Sequence, residues 1–90
     1  MLVLPAEVTH QHGAACCRML EQGVRTDPAP VVVADASALS RFDSSAIAVL
    51  LACRREALAL GKSFSVRGLP PRLRVLAGLY GVADLLPAAA

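Results

Sequence analysis

One stretch, Val31 to Leu60, constrains the fold more than any other. It opens with Val31-Val32-Val33-Ala34, an apolar run of strand length suited to burial on both faces. Asp35 ends the run, a loop follows to Phe42, and Asp43-Ser44-Ser45-Ala46 opens an apolar helix reaching about Leu60. Asp and Ser before an apolar run signal a helix start, because their oxygens accept the first unpaired N–H groups. Two serines are thus presented at the positive end of a helix, beside the end of an interior strand. This corner is the expected functional centre.

The flanks read as an alternation of strands and helices. Met1 to Leu4 has room only for an edge strand, which Pro5 ends. Thr9 is the expected N-cap of a helix from His10 to about Gln22. Gly23 is its left-handed end, and Ala15, Cys16, Met19 and Leu20 form its apolar stripe. Gly13 weakens the first turn of that helix by up to about 1 kcal/mol relative to Ala. Residues 25–30 form a loop, and Gly61 closes the central helix. Phe64-Ser65-Val66-Arg67 alternates as a half-exposed strand. A last helix from Pro71 to Tyr80 carries Leu73, Leu76, Ala77 and Tyr80 inward, and Val82 to Leu86 is a short terminal strand. The expected fold is α/β: one domain over residues 1–90, a mixed sheet of about four strands with three helices packed on it, and a disordered tail at 87–90.

Ninety residues lie near the lower end of what folds without staples. The chain is 56 % hydrophobic but only 3 % aromatic, so its core is built from small pieces, and the apolar surplus points to a surface that something else covers. No run reaches the roughly 20 apolar residues of a membrane span, and the N-terminus lacks the order of a signal peptide. A cytoplasmic location follows as an expectation. Cys16, Cys17 and Cys53 are odd in number and form no CxxC, which favours reduced thiols. From Arg41 to Arg74 seven basic residues face two acidic ones, Asp43 and Glu56. That half reads first as a solvated face; beyond that it suits an acidic protein surface or lipid headgroups, whereas no aromatic platform accompanies it to stack nucleic acid.

Catalysis finds little support in the residues. A serine nucleophile needs a base in reach, and the two histidines, His10 and His12, are placed by no motif. His12 and Cys16 stand one helical turn apart, a weak signal for a metal that a buried cysteine explains as well. No glycine-rich phosphate loop occurs, so no cofactor is expected. A phosphate on Ser44 or Ser45 would meet the helix dipole, with Asp43 opposing it; as plain caps the serines contribute about 1 kcal/mol. The central helix itself is apolar on two sides. Ile47, Leu50, Leu51 and Leu58 form the side expected on the sheet, while Val49, Ala52 and Cys53 point roughly the other way. That second side, behind Ser44 and Ser45, is where a protein partner is expected to dock.

The strand ending in Asp35, followed by Asp43-Ser44-Ser45-Ala46-Ile47-Ala48-Val49-Leu50-Leu51, resembles the STAS domain, the fold of anti-anti-sigma factors and of the cytoplasmic parts of sulfate transporters. The ending from Val75 to Pro87 is similar to the MlaB-like branch, small subunits of bacterial phospholipid-transporting ABC complexes. Ala46 stands where the family commonly has Gly, and the shortened N-terminal strands fit the trimmed transporter subunit. The resemblance implies a non-catalytic regulatory subunit that docks on the ABC ATPase subunit through Asp43, Ser44, Ser45, Ala48, Val49 and Ala52. Such a subunit meets the inner membrane only indirectly, through its partner, and supports outer-membrane lipid asymmetry. The alternative it implies is an anti-anti-sigma factor phosphorylated on Ser44 by an anti-sigma factor kinase.

Overall fold

The computed structural model describes residues 1–89. The triple-valine run forms β3 (Val31–Asp35), and its neighbours in one sheet are β1 (Leu2–Val3) and β5 (Ser63–Arg67), in the order β1-β3-β5. Both pairings are parallel, with Leu2 opposite Ala34 and Val32 opposite Phe64. Parallel neighbours need crossovers. These are α1 (Gly13–Thr26), between β1 and β3, and α2 (Ser44–Ala59), between β3 and β5. The strands alternate: Val32, Ala34, Phe64 and Val66 are buried, while Val31 is 52 % exposed and Val33 half-buried. β3 is therefore covered on one face rather than on two.

The α/β architecture with three helices is as expected, but the strands divide differently. Instead of one mixed sheet of about four strands, a second parallel pair joins β2 (Glu7–Val8) to β4 (Arg41–Phe42). Both sit in segments without strand periodicity. The pairing matters because the amides of Ser40 and Arg41 donate to the Ala6 carbonyl, and that of Asp43 to Val8. The start of α2 is thereby fastened beside the approach to α1.

α1 begins three residues later than the pattern predicts, because His10 to His12 turn back, with the His12 amide donating to the Thr9 carbonyl. It also runs through Gly23 to Thr26. A Cβ at Gly23 would stand 2.7 Å from a Leu2 methyl, which would have to turn aside. The buried stripe is Gly13, Cys16, Leu20 and Val24, and Met19 is 58 % exposed.

α3 (Pro71–Leu79) starts on Pro71 as expected and buries Leu73 and Ala77. Tyr80, expected inside, is 56 % exposed, because the helix ends one residue earlier and the chain turns at Gly81. The expected terminal strand is instead a 3-10 turn (Ala83–Leu85) followed by Leu86, 1 % exposed. Beyond it the Val66 amide donates to the Pro87 carbonyl and the Val66 carbonyl accepts from the Ala89 amide, so residues 87–89 lie along β5. Ala90, the last residue of the expected tail, lies outside the described residues. No helix among the described residues is long and apolar enough to cross a membrane.

Candidate functional site

The corner at the start of α2 is built around Asp43, whose extended backbone makes it the N-cap. One carboxylate oxygen accepts the Ser45 amide at 2.8 Å, and the other accepts the His10 amide at 3.0 Å. These two N–H donors, Ser45's the stronger influence, hold the carboxyl below the usual carboxylate range. The His10 ring nitrogen Nδ1 lies 3.6 Å from the same carboxylate. Asp43 thus does the capping that the sequence divides between Asp and Ser. The serines are released from it, and Ser44 is the first helical residue, exposed, with its hydroxyl free of hydrogen bonds among the described residues.

Ser45, half-buried, faces α1. Gly13 lies opposite, and a Cβ there would come within 3.3 Å of the Ser45 Cβ, tighter than ordinary contact. The glycine that weakens α1 as a helix is what lets the two helices approach. Beside this contact a groove of about 270 Å³ lies between the two helices. One wall is His10, Gly13, Ala14 and Cys17; the other is Ser45, Ala48 and Val49. Further along both helices, away from the groove, the Arg25 side chain donates to Glu56 at 2.7 Å across the seam between α1 and α2.

The six residues singled out from the sequence therefore separate. Asp43, Ser44, Ser45 and Ala48 share one accessible corner, and Ala52 is half-buried further along α2. Val49 is 3 % exposed and forms the floor of the groove. The second apolar side of α2 is covered by the chain's own α1, so its apolar character does not by itself call for a partner. The wall contributed by α1 has no sequence motif; its one trace is the run of small residues Gly13, Ala14 and Cys17 at helical spacing.

Chemically the corner is quiet. Asp43, His10 and Ser45 are the residue types of a hydrolytic triad, yet no hydrogen bond joins the His10 ring to either serine among the described residues, and that ring is 79 % exposed. Burial, then a hydrogen bond to Glu21 at 3.2 Å, pushes the Cys17 thiol up to about 11. Burial likewise pushes Cys53 up to about 12. Neither forms the thiolate that nucleophilic chemistry uses near neutral pH. Cys16 is buried while the His12 ring approaches Glu7 at 3.5 Å, and no three His, Cys, Asp or Glu among the described residues gather to hold a metal.

Comparisons with known proteins bear on the family and the fold. The family model described as "Mlab, STAS domain" matches residues 1–87. Among solved structures, one of the anti-sigma factor antagonist SpoIIAA in its unphosphorylated form superposes with a TM-score of 0.74 at 18 % identity, covering 98 % of this chain and 76 % of that one. At that identity the likeness is one of fold. No curated protein matches the sequence.

Proposed function

The chain belongs to the STAS domain family, in the branch described as Mlab, and from that premise we propose that it is a regulatory subunit docking on the ATPase subunit of a phospholipid-transporting ABC complex. STAS membership supports a regulatory, binding role in general; the partner is the proposal. The observation that carries it is the corner itself. Asp43 satisfies the helix start alone, leaving the Ser44 hydroxyl unengaged and exposed beside the small, exposed Ala48. A free hydroxyl next to a small apolar residue suits close approach of another polypeptide, where buried hydrogen bonding confers discrimination. On this reading Asp43, Ser44, Ser45, Ala48 and Ala52 meet the partner, with Val49 reachable only through the groove. The protein then sits at the inner membrane through its partner and not by inserting.

Co-expression with the ATPase subunit of the same organism's phospholipid transporter tests it. The expected result is co-purification that Ser44→Arg abolishes and Arg74→Ala, on an exposed position of α3, leaves intact. Retention of the Ser44→Arg variant by the ATPase would overturn the proposal.

The structural likeness to an anti-sigma factor antagonist supports a second reading. Here Ser44 is the acceptor of a kinase that the unmodified protein binds. A dianion at that position would meet the positive end of the α2 dipole, with Asp43 opposing it. Mass spectrometry showing phosphate on Ser44 after incubation with a cognate anti-sigma factor kinase, and none on Ser44→Ala, would select it.

A further inference from the structure

We infer that the outer face of α3 is where two copies of this chain meet, their α3 helices packed antiparallel about a twofold axis. The face uses none of the residues of the α2 corner, so it stands apart from the docking reading above.

α3 buries Leu73 and Ala77 yet carries apolar residues on its other side as well. Helical spacing puts Val75, Gly78 and Leu79 away from Leu73 and Ala77, and Val75 is 64 % and Leu79 77 % exposed. Tyr80, just past the helix end, and Leu85 in the following turn add to the exposed apolar surface. Single exposed apolar residues need no explanation, whereas a run of them along one helix marks an interaction surface. Gly78 adds to the case. A Cβ there would meet no other part of the chain, so no internal contact requires a residue that weakens a helix relative to Ala. Without a side chain at 78, a second helix can come close beside Val75 and Leu79.

The charges at the two ends say what approaches. Arg72 and Arg74 stand in the first turn of α3, which holds no acidic residue, at the end where cations oppose the helix dipole. The Arg72 guanidinium lies 5.8 Å from the centre of the Phe42 ring, which leaves Arg74 the freer to reach outward. Asp84 is exposed beyond the other end, in the 3-10 turn packed against α3. None of the three has an ion-pair partner among the described residues. Cations at one end, a carboxylate and the negative end of the dipole at the other, and an apolar middle complement the same face turned end for end. The antiparallel pairing sets Val75 of each copy against Leu79 of the other and carries each Arg74 toward the other copy's Tyr80 and Asp84. A parallel pairing would set arginine against arginine, and a partner of one charge sign would match one end only. A face of nine helical residues lies at the small end of specific interfaces, so the dimer is expected to be weak.

Sedimentation equilibrium of the full chain, taken up to about 1 mM so that weak association registers, tests the inference. The wild type is expected to pass from monomer to dimer mass as concentration rises. Gly78→Gln, which favours the helix and meets nothing inside the chain, is expected to weaken association about tenfold, and Leu79→Lys at least as much. Arg74→Ala, which leaves docking at the α2 corner intact, is expected to weaken self-association. Arg74→Asp and Asp84→Arg should each fail to associate alone and associate when mixed, because each variant supplies the charge the other lacks. Recovery in the mixture also shows that both variants are folded. A wild type that stays monomeric throughout would overturn the inference, as would a mixture that does not recover. Association that survives Gly78→Gln and Leu79→Lys but is lost in Val3→Asp would move the contact to the uncovered face of the sheet, and so overturn it too. Binding of the transporter's ATPase subunit that is lost in Leu79→Lys, with no self-association of the wild type, would give the α3 face to that partner instead.

Discussion

Asp43 shows how one side chain joins two parts of the chain that the sequence keeps far apart. Its role as a helix cap was legible, because capping is decided within three residues. Its hold on the His10 amide, 33 positions away, was not. The same limit hid His10, Gly13, Ala14 and Cys17 as a wall of the site: only the tertiary pairing of residues 7–8 with 41–42 brings them opposite Ser45. Hydrogen bonding to the ionised form lowers the Asp43 pKa in the folded state, so its stabilising contribution is complete above the unfolded carboxyl value of about 3.9. It disappears as pH falls through the lower folded value. The urea midpoint of Asp43→Ala is therefore expected to lie below wild type at neutral pH, and the gap to narrow as the pH is taken down to about 3. A gap that stays constant across that range would show that the carboxylate's charge is not what matters. Asp43→Asn, which keeps an acceptor for one amide, is expected to fall between them.

At the scale of elements, what the sequence revealed depended on whether a pattern was local. β3, α2, β5 and the proline start of α3 lie where period and punctuation put them. The two-residue strands β2 and β4 are too short to carry any period, and their existence follows from backbone pairing alone. Gly23 misled in the other direction, because a glycine inside α1, close against Leu2, looks in sequence like a helix terminator. Gly68, after β5, is required on both counts. Its φ is +66°, and a Cβ there would stand 2.7 Å from the Ser37 Cβ, in the turn where Asp35 accepts the Ser37 amide and hydroxyl. The left-handed conformation costs an L-residue roughly 1–2 kcal/mol, and the clash adds to it. Gly68→Ala is therefore expected to lower stability by at least about 1 kcal/mol. Gly61→Ala, also at positive φ but with open space around it, is expected to cost less, and equal losses in urea melts would show that backbone strain alone governs Gly68.

Over the whole molecule, the decisive arrangement is a central helix packed on two sides in a chain with little core to spare. The apolar circumference of α2 looked in sequence like one side for the sheet and one for a partner. In the structure Ile47 and Leu50 are buried toward the core, while Val49 and Cys53 are buried on the side facing α1, Val49 as the floor of the groove. Leu51 is half-buried and Leu58 is 48 % exposed, although helical spacing grouped both with Leu50. The reason is that α2 packs on the sheet and, beside it, on α1, so coverage follows the positions of two neighbours and no single stripe describes it. This assigns opposite outcomes to one substitution at two sites. Leu50 is fully buried, and truncation there leaves a cavity costing about 2–5 kcal/mol. A chain of 90 residues has only roughly 5–13 kcal/mol in total. Leu50→Ala should thus leave the protein partly unfolded or near it, with an early, broadened thermal transition. Leu58→Ala, at the open end of α2, should shift stability by about 0.5 kcal/mol or less. If the two variants melt together, α2 is not seated against both α1 and the sheet, and the corner that Ser44 occupies loses its support.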